Sequence, residues 1–336
     1  MQPADHETLV TLRDWLAHGH SAALATVVRT YGSSPRPAGS LAAIRADGAV
    51  VGSVSGGCIE QDLIARVRTA IPALPQRLVY GGAPEENRRW RMPCGGQMEV
   101  VLEPAPSAVI LDQILAALHA RQPIARRLDL TSGASSLFRS GTASQFTPGA
   151  TSHLVCDAQQ LITPHGPQLR LLIIGAVQTA RYLAEMAAAL DYTVLVCDPR
   201  EEYRATWNVS GSELLSGMPD DAVAAAQPDA YTAIVALTHD PKLDDMALME
   251  ALRSPAFYVG ALGSRRNNAR RRERLALLDL AANDIARLRG PVGVPIGSHT
   301  PPEIAVAILA DLIAVRNGIE LVALRQAEQQ AQYATA

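Results

Sequence analysis

The second half of the chain alternates short apolar runs with amphipathic segments, and this alternation limits the fold more than any other feature. Apolar runs of strand length occur at 169–174, 192–197, 231–237 and 256–262. Helical patterns occur at 177–190, 219–226, 241–253, 264–278 and 301–317. Strands that alternate with crossover helices at this spacing form a parallel sheet covered by helices on both faces. The sequence therefore predicts a doubly wound, Rossmann-like α/β domain.

The turn after the first apolar run carries part of a dinucleotide-binding fingerprint. The complete motif, G-x-G-x-x-G/A, is followed about 20 residues later by an acidic residue that binds a ribose hydroxyl. Gly175 and Ala180 fill the first and last positions, and Asp198 ends the second run. Val177 replaces the middle glycine, which lets the backbone approach a pyrophosphate. We therefore expect NAD and NADP to bind weakly or not at all. Nucleotide binding at this loop and a retained fold with an emptied or altered site both stay open.

Arginines crowd the segment after the fourth apolar run. Arg265 and Arg266 follow Gly263 and Ser264 at the carboxyl end of a predicted strand. Helix N-termini bind anions, and arginine binds phosphate through a fork of N–H donors. These two arginines are therefore candidates for anion binding, whereas the run from Arg270 to Arg274 is interpreted as a solvated helix face.

The helix predicted at 301–317 has its own start signal. Thr300 and Glu303 have the spacing of a capping box, and prolines occupy the first helical positions. This pattern accounts for Glu303 as a capping residue without a catalytic role.

The first half predicts an α+β arrangement. Strand patterns occur at 22–29, 77–80 and 98–102, and helical patterns at 7–18 and 107–120. Residues 41–54 form a predicted hairpin whose turn is Asp47-Gly48. We place an N-terminal α+β domain at 1–150 and the Rossmann-like domain at 165–336, with a linker zone between them that short strands interrupt.

Two loops of the first half place a cysteine among glycines. They are GSVSGGCIE (Gly52–Glu60) and PCGG (Pro93–Gly96). Glycine permits positive φ and a close approach to a ligand, so backbone N–H groups can lie beside a thiol. Cys58 and Cys94 form no CxxC motif, which argues against a zinc-finger site. Two such loops favour a shared site over two structural turns, and a helix is expected to begin at or just before Cys58.

Composition argues against several classes of protein. A net charge of −3 gives no basic surface for nucleic acid. Four scattered cysteines do not make a disulfide framework in a chain of 336 residues. Neither a signal peptide nor an apolar run of about 18 residues is evident, so no membrane span is expected. We expect a cytoplasmic protein with free thiols.

Together, these segments resemble the XdhC/CoxI family, accessory proteins for molybdenum hydroxylases. The matching segments are the Ser34-Pro35-Arg36 turn with Gly39, GSVSGGCIE, PCGG, the loop at Gly175 with VCDPR (196–200), YVGALGSRR (258–266) and PIGSHTPPEIAVAI (295–308). They span nearly the whole chain in the family's order. The glycine-poor Rossmann loop is similar to that of the CoxI-like branch. The resemblance implies an N-terminal domain that carries the glycine–cysteine loops, followed by a Rossmann domain.

The resemblance also implies a function. Members of the family bind the molybdenum cofactor, support its sulfuration and help to insert it into an apo molybdenum hydroxylase, such as a xanthine dehydrogenase, an aldehyde oxidoreductase or a CO dehydrogenase. The implied cofactor is molybdopterin, alone or extended by a nucleotide, and no residue is assigned a catalytic role. A cysteine desulfurase partner and a homodimer are further family-level expectations.

The residues implied to bind this anionic cofactor are arginines, loop residues and the partial fingerprint. They are Arg36, Ser55, Gly56, Gly57, Cys58, Cys94, Gly95, Gly96, Gly175, Asp198, Arg265 and Arg266. Thiolates suit soft metals, so Cys58 or Cys94 is the candidate to face the molybdenum or to carry sulfur. Sulfur transfer through either cysteine stays open. So does an NAD(P)-dependent oxidoreductase, for which His239 is the best candidate proton donor.

Overall fold

The computed structural model describes residues 3–31, 36–57, 59–82, 97–139 and 154–319. The described residues up to Pro167 form one structural unit, unit 1, and those from Gln168 onward form a second, unit 2. Within these ranges, we find no helix that is both long and apolar enough to cross a membrane.

Unit 1 contains a five-stranded antiparallel sheet. Its strands lie in the order β3 (Val50–Gly52), β2 (Leu41–Arg45), β1 (Ala22–Tyr31), β5 (Gln97–Pro104) and β4 (Gln76–Gly81). β2 and β3 pair antiparallel around Gly48, whose φ is +98°, which confirms the predicted hairpin. The central strand, β1, pairs with β2 on one side and β5 on the other.

Helices cover both faces of this sheet. They are α1 (Pro3–Ala17), α2 (Glu60–Thr69) and α3 (Ala108–His119). Successive side chains of a strand point to opposite faces. Ala23 of β1 packs in a cluster with Leu63 of α2, whereas Leu24 packs in another with Leu12 of α1. Burial on both faces explains why β1 is apolar almost throughout rather than alternating.

A second antiparallel sheet completes unit 1. Its strands lie in the order β7 (Ser135–Phe138), β6 (Ile124–Asp129), β9 (Gln160–His165) and β8 (Val155–Cys156). β6 pairs with β9 over six residue pairs, from Ile124 with His165 to Asp129 with Gln160. The strands expected within the linker zone are therefore part of a sheet in unit 1.

Unit 2 is built on a six-stranded sheet. Its strands lie in the order β12 (Ser212–Leu215), β11 (Thr193–Cys197), β10 (Arg170–Ile174), β13 (Thr232–Ala236), β14 (Tyr258–Ala261) and β15 (Leu288–Arg289). Every neighbouring pair is parallel. The predicted doubly wound α/β fold is confirmed, but the sheet has six strands where four were predicted.

The helices of unit 2 lie on both faces of this sheet. They are α4 (Gln178–Ala189), α5 (Glu201–Arg204), α6 (Pro219–Ala226), α7 (Pro241–Arg253), α8 (Arg265–Ala276), α9 (Ala282–Ala286) and α10 (Pro301–Arg316). Ile173 packs with side chains of α4 and α10, whereas its neighbour Ile174 packs with side chains of α7 and α8. The period of two along β10 therefore divides the core into two layers.

The strand order reverses at β10. The chain leaves β10 for β11 and β12 on one side, and then returns to β13 on the other. At such a switch point the loops that follow the two central strands diverge, and ligands of open α/β sheets bind in the resulting crevice.

Candidate functional site

The loop between β10 and α4 is shaped by contact with β13. Gly175 in this loop has a φ of +110°. A Cβ at Gly175 would lie 2.9 Å from the backbone nitrogen of Thr238, so only glycine fits without movement of the backbone. Val177 is the N-cap residue of α4, and no side chain caps this helix. The first glycine of the fingerprint, Gly175, is therefore required for packing of this loop against the backbone that follows β13.

Asp198 directly follows β11, at the position that the fingerprint assigns to a ribose hydroxyl. The structure instead buries it completely. Its Oδ2 accepts the N–H of Ala176 at 2.8 Å, and Arg200 donates from Nε to Oδ1 at 2.9 Å and from Nη2 to Oδ2 at 2.8 Å. Burial opposes ionisation of this carboxyl, but the hydrogen bonds from Arg200 and Ala176 hold its pKa below the ordinary value. Asp198 therefore fastens the loop and Arg200 rather than facing a ligand.

A cleft of about 590 Å³ opens at the carboxyl edge of the unit 2 sheet. The residues that line it, which we call the carboxyl-edge cleft, follow β10, β11 and β13: Val177, Arg200, Tyr203, Thr238, His239, Asp240, Pro241 and Lys242. These loops flank the point where the strand order reverses. The cleft therefore lies where doubly wound folds bind their ligands.

Lys242 is the only lysine of the 336-residue sequence, and it lies exposed in this cleft. Among the residues that the structure describes, no carboxylate forms an ion pair with it. The acidic neighbour, Asp240, is the N-cap residue of α7, and its Oδ1 accepts the backbone N–H groups of Lys242 at 2.8 Å and Leu243 at 3.4 Å. The Lys242 ammonium therefore remains available to an anionic ligand.

Two further features define the walls of the cleft. His239 has a φ of +64°, a left-handed conformation that costs a non-glycine residue of order 1 kcal/mol or more and is concentrated at functional sites. The guanidinium carbon of Arg200 lies 3.9 Å from the ring centre of Tyr203. Stacking on Tyr203 and pairing with Asp198 together fix the position of Arg200.

Part of this site was missed by the sequence analysis. The partial fingerprint pointed to Gly175 and Asp198, and the end of the third predicted strand pointed to His239. Lys242 and Tyr203 were not singled out. The sequence does contain a signal for Lys242. All the remaining basic residues among Lys and Arg are arginines, and this one lysine comes shortly after an apolar strand.

In unit 1, the described part of the first glycine–cysteine loop folds around the carboxylate of Glu60. Its Oε1 accepts hydrogen bonds from Ser53 Oγ at 2.6 Å, Val54 N at 3.1 Å and Ser55 N at 2.9 Å. Its Oε2 accepts from Gly57 N at 3.0 Å and from Ser55 Oγ. Partial burial opposes ionisation, yet these donors lower the pKa of Glu60 to about 2. Loop N–H groups that the sequence analysis assigned to a ligand are thus bound by the chain's own carboxylate.

The helix after this loop begins later than predicted. α2 starts at Glu60, whereas the sequence predicted a start at or just before Cys58. Gly56 and Gly57 have φ values of +79° and +118°, which are incompatible with a right-handed helix. The Glu60 side chain turns back to the loop and so fixes the boundary.

The structure describes only part of the two glycine–cysteine loops. Ser55 and Gly57 donate their N–H groups to Glu60, and the N–H of Gly56 donates to Ser53 Oγ at 2.9 Å. Cys58, Cys94, Gly95 and Gly96 lie outside the described residues. The convergence of the two loops, and the role of either cysteine toward a metal, stay predictions.

The predicted arginine sites belong to different units. Arg36 is half-buried in unit 1, between β1 and β2. Arg265 and Arg266 begin α8, whose N-cap Ser264 accepts the N–H of Asn267 at 3.2 Å. They follow β14, one strand beyond the loops that line the carboxyl-edge cleft.

The prediction of a solvated face for Arg270 to Arg274 is wrong in part. Arg271 is buried, and its Nη2 lies 2.8 Å from Asp244 Oδ2. Arg274 is paired with Asp245, with its Nε 2.6 Å from Oδ2. A buried guanidinium needs such partners, and α7 supplies both carboxylates. The arginine run therefore joins α8 to α7.

Cys197 and Glu303 both have structural roles, and the role of Glu303 confirms a prediction from the sequence. Cys197 is fully buried in β11, and burial raises the pKa of its thiol to about 11. Glu303 accepts the backbone N–H groups of His299 at 2.8 Å and Thr300 at 2.9 Å at the start of α10, as expected of a capping box. In the ranges covered by the structure, no group of three or more His, Cys, Asp or Glu side chains is arranged to hold a metal ion.

Comparison with known families accounts for both units. The model of the XdhC Rossmann domain matches residues 171–312, within unit 2. The model of the XdhC and CoxI family matches residues 15–81, within unit 1. The chain belongs to the XdhC and CoxI family.

Individual relatives match along nearly the entire chain. The molybdenum cofactor insertion chaperone PaoD of Escherichia coli strain K12 is 29% identical over 325 residues, which cover 93% of this chain and 89% of PaoD. A probable subunit of xanthine dehydrogenase from Bacillus subtilis strain 168 is 26% identical over 320 residues, covering 90% of this chain and 95% of that protein. A crystal structure described as a xanthine dehydrogenase from Bacillus halodurans has a TM-score of 0.72 at 24% identity, covering 95% and 98%, and so has the same fold.

Proposed function

We propose that this protein binds the molybdenum cofactor, supports its sulfuration and inserts it into a molybdenum hydroxylase of the xanthine dehydrogenase, aldehyde oxidoreductase or CO dehydrogenase type. The observation that carries the proposal is the similarity to PaoD, a molybdenum cofactor insertion chaperone, along 93% of the chain. A similarity of this extent includes both units.

The carboxyl-edge cleft fits the anionic part of such a cofactor. The cofactor is a pterin that bears a dithiolene and a phosphate, and it supplies the metal and its terminal sulfur to the client enzyme. Lys242 provides a positive charge, and the N-terminus of α4 has no side-chain cap, so its N–H groups can bind an anion. Arg200, held by Asp198 and Tyr203, forms a fixed wall.

The glycine–cysteine loops of unit 1 are the second group of residues that we propose for this function. Glu60 fixes Ser53–Gly57 directly before Cys58, so the backbone leading to this thiol has a defined conformation. Cys58 or Cys94 would then face the metal or carry the sulfur that is installed on it. A cysteine desulfurase as sulfur donor, a homodimer and a cytoplasmic location complete the proposal.

The same cleft lacks two features that a dinucleotide site uses. Val177 lines it where the fingerprint requires glycine, and Asp198 has both oxygens bound by Ala176 and Arg200. The groups that would bind a pyrophosphate and a ribose are therefore blocked or used. An NAD(P)-dependent oxidoreductase is accordingly not favoured.

Purification from two hosts tests the proposal. The full chain is expressed in a host that makes molybdenum cofactor and in a matched host that cannot make molybdopterin. We expect pterin and molybdenum, at a stoichiometry approaching one per chain, only in protein from the first host. Protein that contains neither, although active client enzyme accumulates in the same cells, would contradict cofactor binding.

A further inference from the structure

We propose that the carboxyl-edge cleft of unit 2 binds a phosphate monoester, and that Lys242 is the residue that contacts the phosphate. The proposal places the phosphate group of the bound molecule in unit 2. The identification of that phosphate with the one on the molybdenum cofactor rests on the proposed function. The phosphate site itself follows from the structure of unit 2.

The residues that line and underlie the cleft favour a single phosphate over a dinucleotide. Its volume of about 590 Å³ is within the usual range for small-molecule sites. Val177 stands where the pyrophosphate of a dinucleotide approaches the backbone, and the buried Asp198 has no oxygen left for a ribose. A single phosphate near Lys242 avoids both obstacles because it needs neither group.

The charges in the cleft favour an anion. The Arg200 guanidinium is neutralised by Asp198, to which it binds through two nitrogens. The Asp240 carboxylate is directed to the first turn of α7 by two backbone N–H groups. Lys242 is left with an ammonium that has no ion-pair partner among the described residues, and lysine is a common phosphate ligand.

Buried hydrogen bonds fix the start of the segment that leads to Lys242. Thr238 donates its backbone N–H at 3.1 Å and its hydroxyl at 2.7 Å to Oδ1 of the buried Asp244. Asp244 is held in turn by Arg271, 2.8 Å away. Between Thr238 and Lys242 the chain passes through His239 in a left-handed conformation. A strained residue such as His239, next to a backbone fixed by buried hydrogen bonds, is typical of a preorganised ligand-binding loop.

Binding measurements with small phosphates test the site. The probes are inorganic phosphate, cytidine and guanosine 5′-monophosphates, and the corresponding nucleosides, titrated calorimetrically into the full chain. We expect the phosphate probes to bind and the nucleosides to bind at least tenfold more weakly. Lys242→Gln should weaken phosphate binding at least tenfold, and Lys242→Arg should restore most of it.

Arg253→Gln is the matched control. Arg253 is an exposed residue at the opposite end of α7, and the substitution changes the net charge by the same amount. It should leave binding unchanged within twofold. Equal losses in Lys242→Gln and Arg253→Gln, or equal affinity of wild type and Lys242→Gln, would overturn the proposal. Absence of binding to wild type at millimolar phosphate or nucleotide would overturn it as well.

The single lysine permits an independent test in the intact protein. An amine-acylating reagent can modify Lys242 and the terminal amine, and mass spectrometry separates the two. Saturating nucleotide should slow acylation of Lys242 severalfold and leave the terminal amine unchanged. Equal acylation of Lys242 with and without nucleotide would contradict a contact between Lys242 and the phosphate.

The results also separate this inference from the proposed function. If wild type retains pterin and Lys242→Gln loses it, both are supported. If the variant retains all its pterin and binds phosphates normally, the Lys242 site is wrong and the chaperone function stands. If phosphates bind through Lys242 but wild type never contains pterin, the site stands and the proposed cofactor is wrong.

The same titrations distinguish the two forms of the cofactor. Nucleotides that bind tenfold tighter than phosphate indicate the nucleotide-extended cofactor, and equal affinities indicate molybdopterin.

Discussion

The Glu60 carboxylate should hold the glycine–cysteine loop in its present conformation, and Glu60→Gln tests this directly. The amide keeps the size of the side chain but removes the charge and replaces one acceptor oxygen by a donor. Because both oxygens of Glu60 accept from backbone N–H groups, at least one of these, such as that of Gly57, must then face an N–H group. The variant therefore loses charge-assisted hydrogen bonds and gains a donor–donor contact.

The loss of folding free energy expected for Glu60→Gln follows from the pKa of the Glu60 carboxyl. The hydrogen bonds from Ser53 and Ser55 overcome the opposing effect of burial and lower the pKa of Glu60 from 4.5 to about 2. At about 1.4 kcal/mol per pKa unit, this corresponds to an upper value of about 3.5 kcal/mol at neutral pH. Because solvent reaches part of the loop, we expect a loss of about 2 kcal/mol.

The pH dependence has a definite sign. A carboxyl with a lowered pKa stabilises the folded state fully above its unfolded pKa, here 4.5, and the contribution is lost as the pH falls toward about 2. The stability difference between wild type and Glu60→Gln should therefore be constant from pH 7 to pH 5. It should shrink below about pH 4.5, because Glu60 is then protonated in the unfolded chain while it is still ionised in the folded protein.

Hydrogen exchange of the peptide that contains Val54, Ser55 and Gly57 measures the loop itself. If these amides exchange by local opening, a loss of about 2 kcal/mol makes exchange about 30-fold faster. Gln61→Ala is the matched control, because Gln61 is exposed and adjacent to Glu60 in α2. Exchange in Glu60→Gln that stays within twofold of wild type would refute the role of Glu60.

Three further outcomes are expected. Gly175→Ala should cost about 2–4 kcal/mol, because its Cβ would lie 2.9 Å from the nitrogen of Thr238, whereas Gly19→Ala, with nothing within 4 Å, should cost about 1 kcal/mol in chemical denaturation. Calorimetric titration of NAD and NADP should give weak binding or none, and low-micromolar affinity for either would revive the oxidoreductase hypothesis. Cys58→Ala and Cys94→Ala should unfold like wild type yet retain less pterin and molybdenum, and full retention by both would make these thiols merely structural.

The parallel sheet of unit 2 could be predicted because its central strands are buried on both faces. Such strands appear in the sequence as continuous apolar runs, as in β10 and β13. β12 was missed because this four-residue edge strand, Ser-Glu-Leu-Leu, contains two polar residues. β15 has only two residues and carries no periodicity.

The candidate site could be predicted only in part, because the remainder depends on tertiary pairing. α10 looks apolar nearly all round, but the buried Asp311 in it binds Arg289 at 2.7 Å and the hydroxyl of Tyr258 at 2.9 Å. Arg271 looks solvated until α7 brings two carboxylates to it. Likewise, Glu60 looks like an ordinary first-turn residue, and only the positive φ values of the loop bring its carboxylate to the backbone. Long-range neighbours of this kind leave no local pattern.

Cofactor transfer to a client enzyme is the direct test of a role in insertion. Protein loaded with molybdenum cofactor is incubated with an apo molybdenum hydroxylase, the two are separated, and molybdenum and client activity are measured in each fraction. We expect molybdenum lost from this protein to appear in the client in equal amount, together with activity that an equal quantity of free cofactor does not produce. Molybdenum that stays with this protein, or free cofactor that activates the client equally well, would contradict a role in insertion.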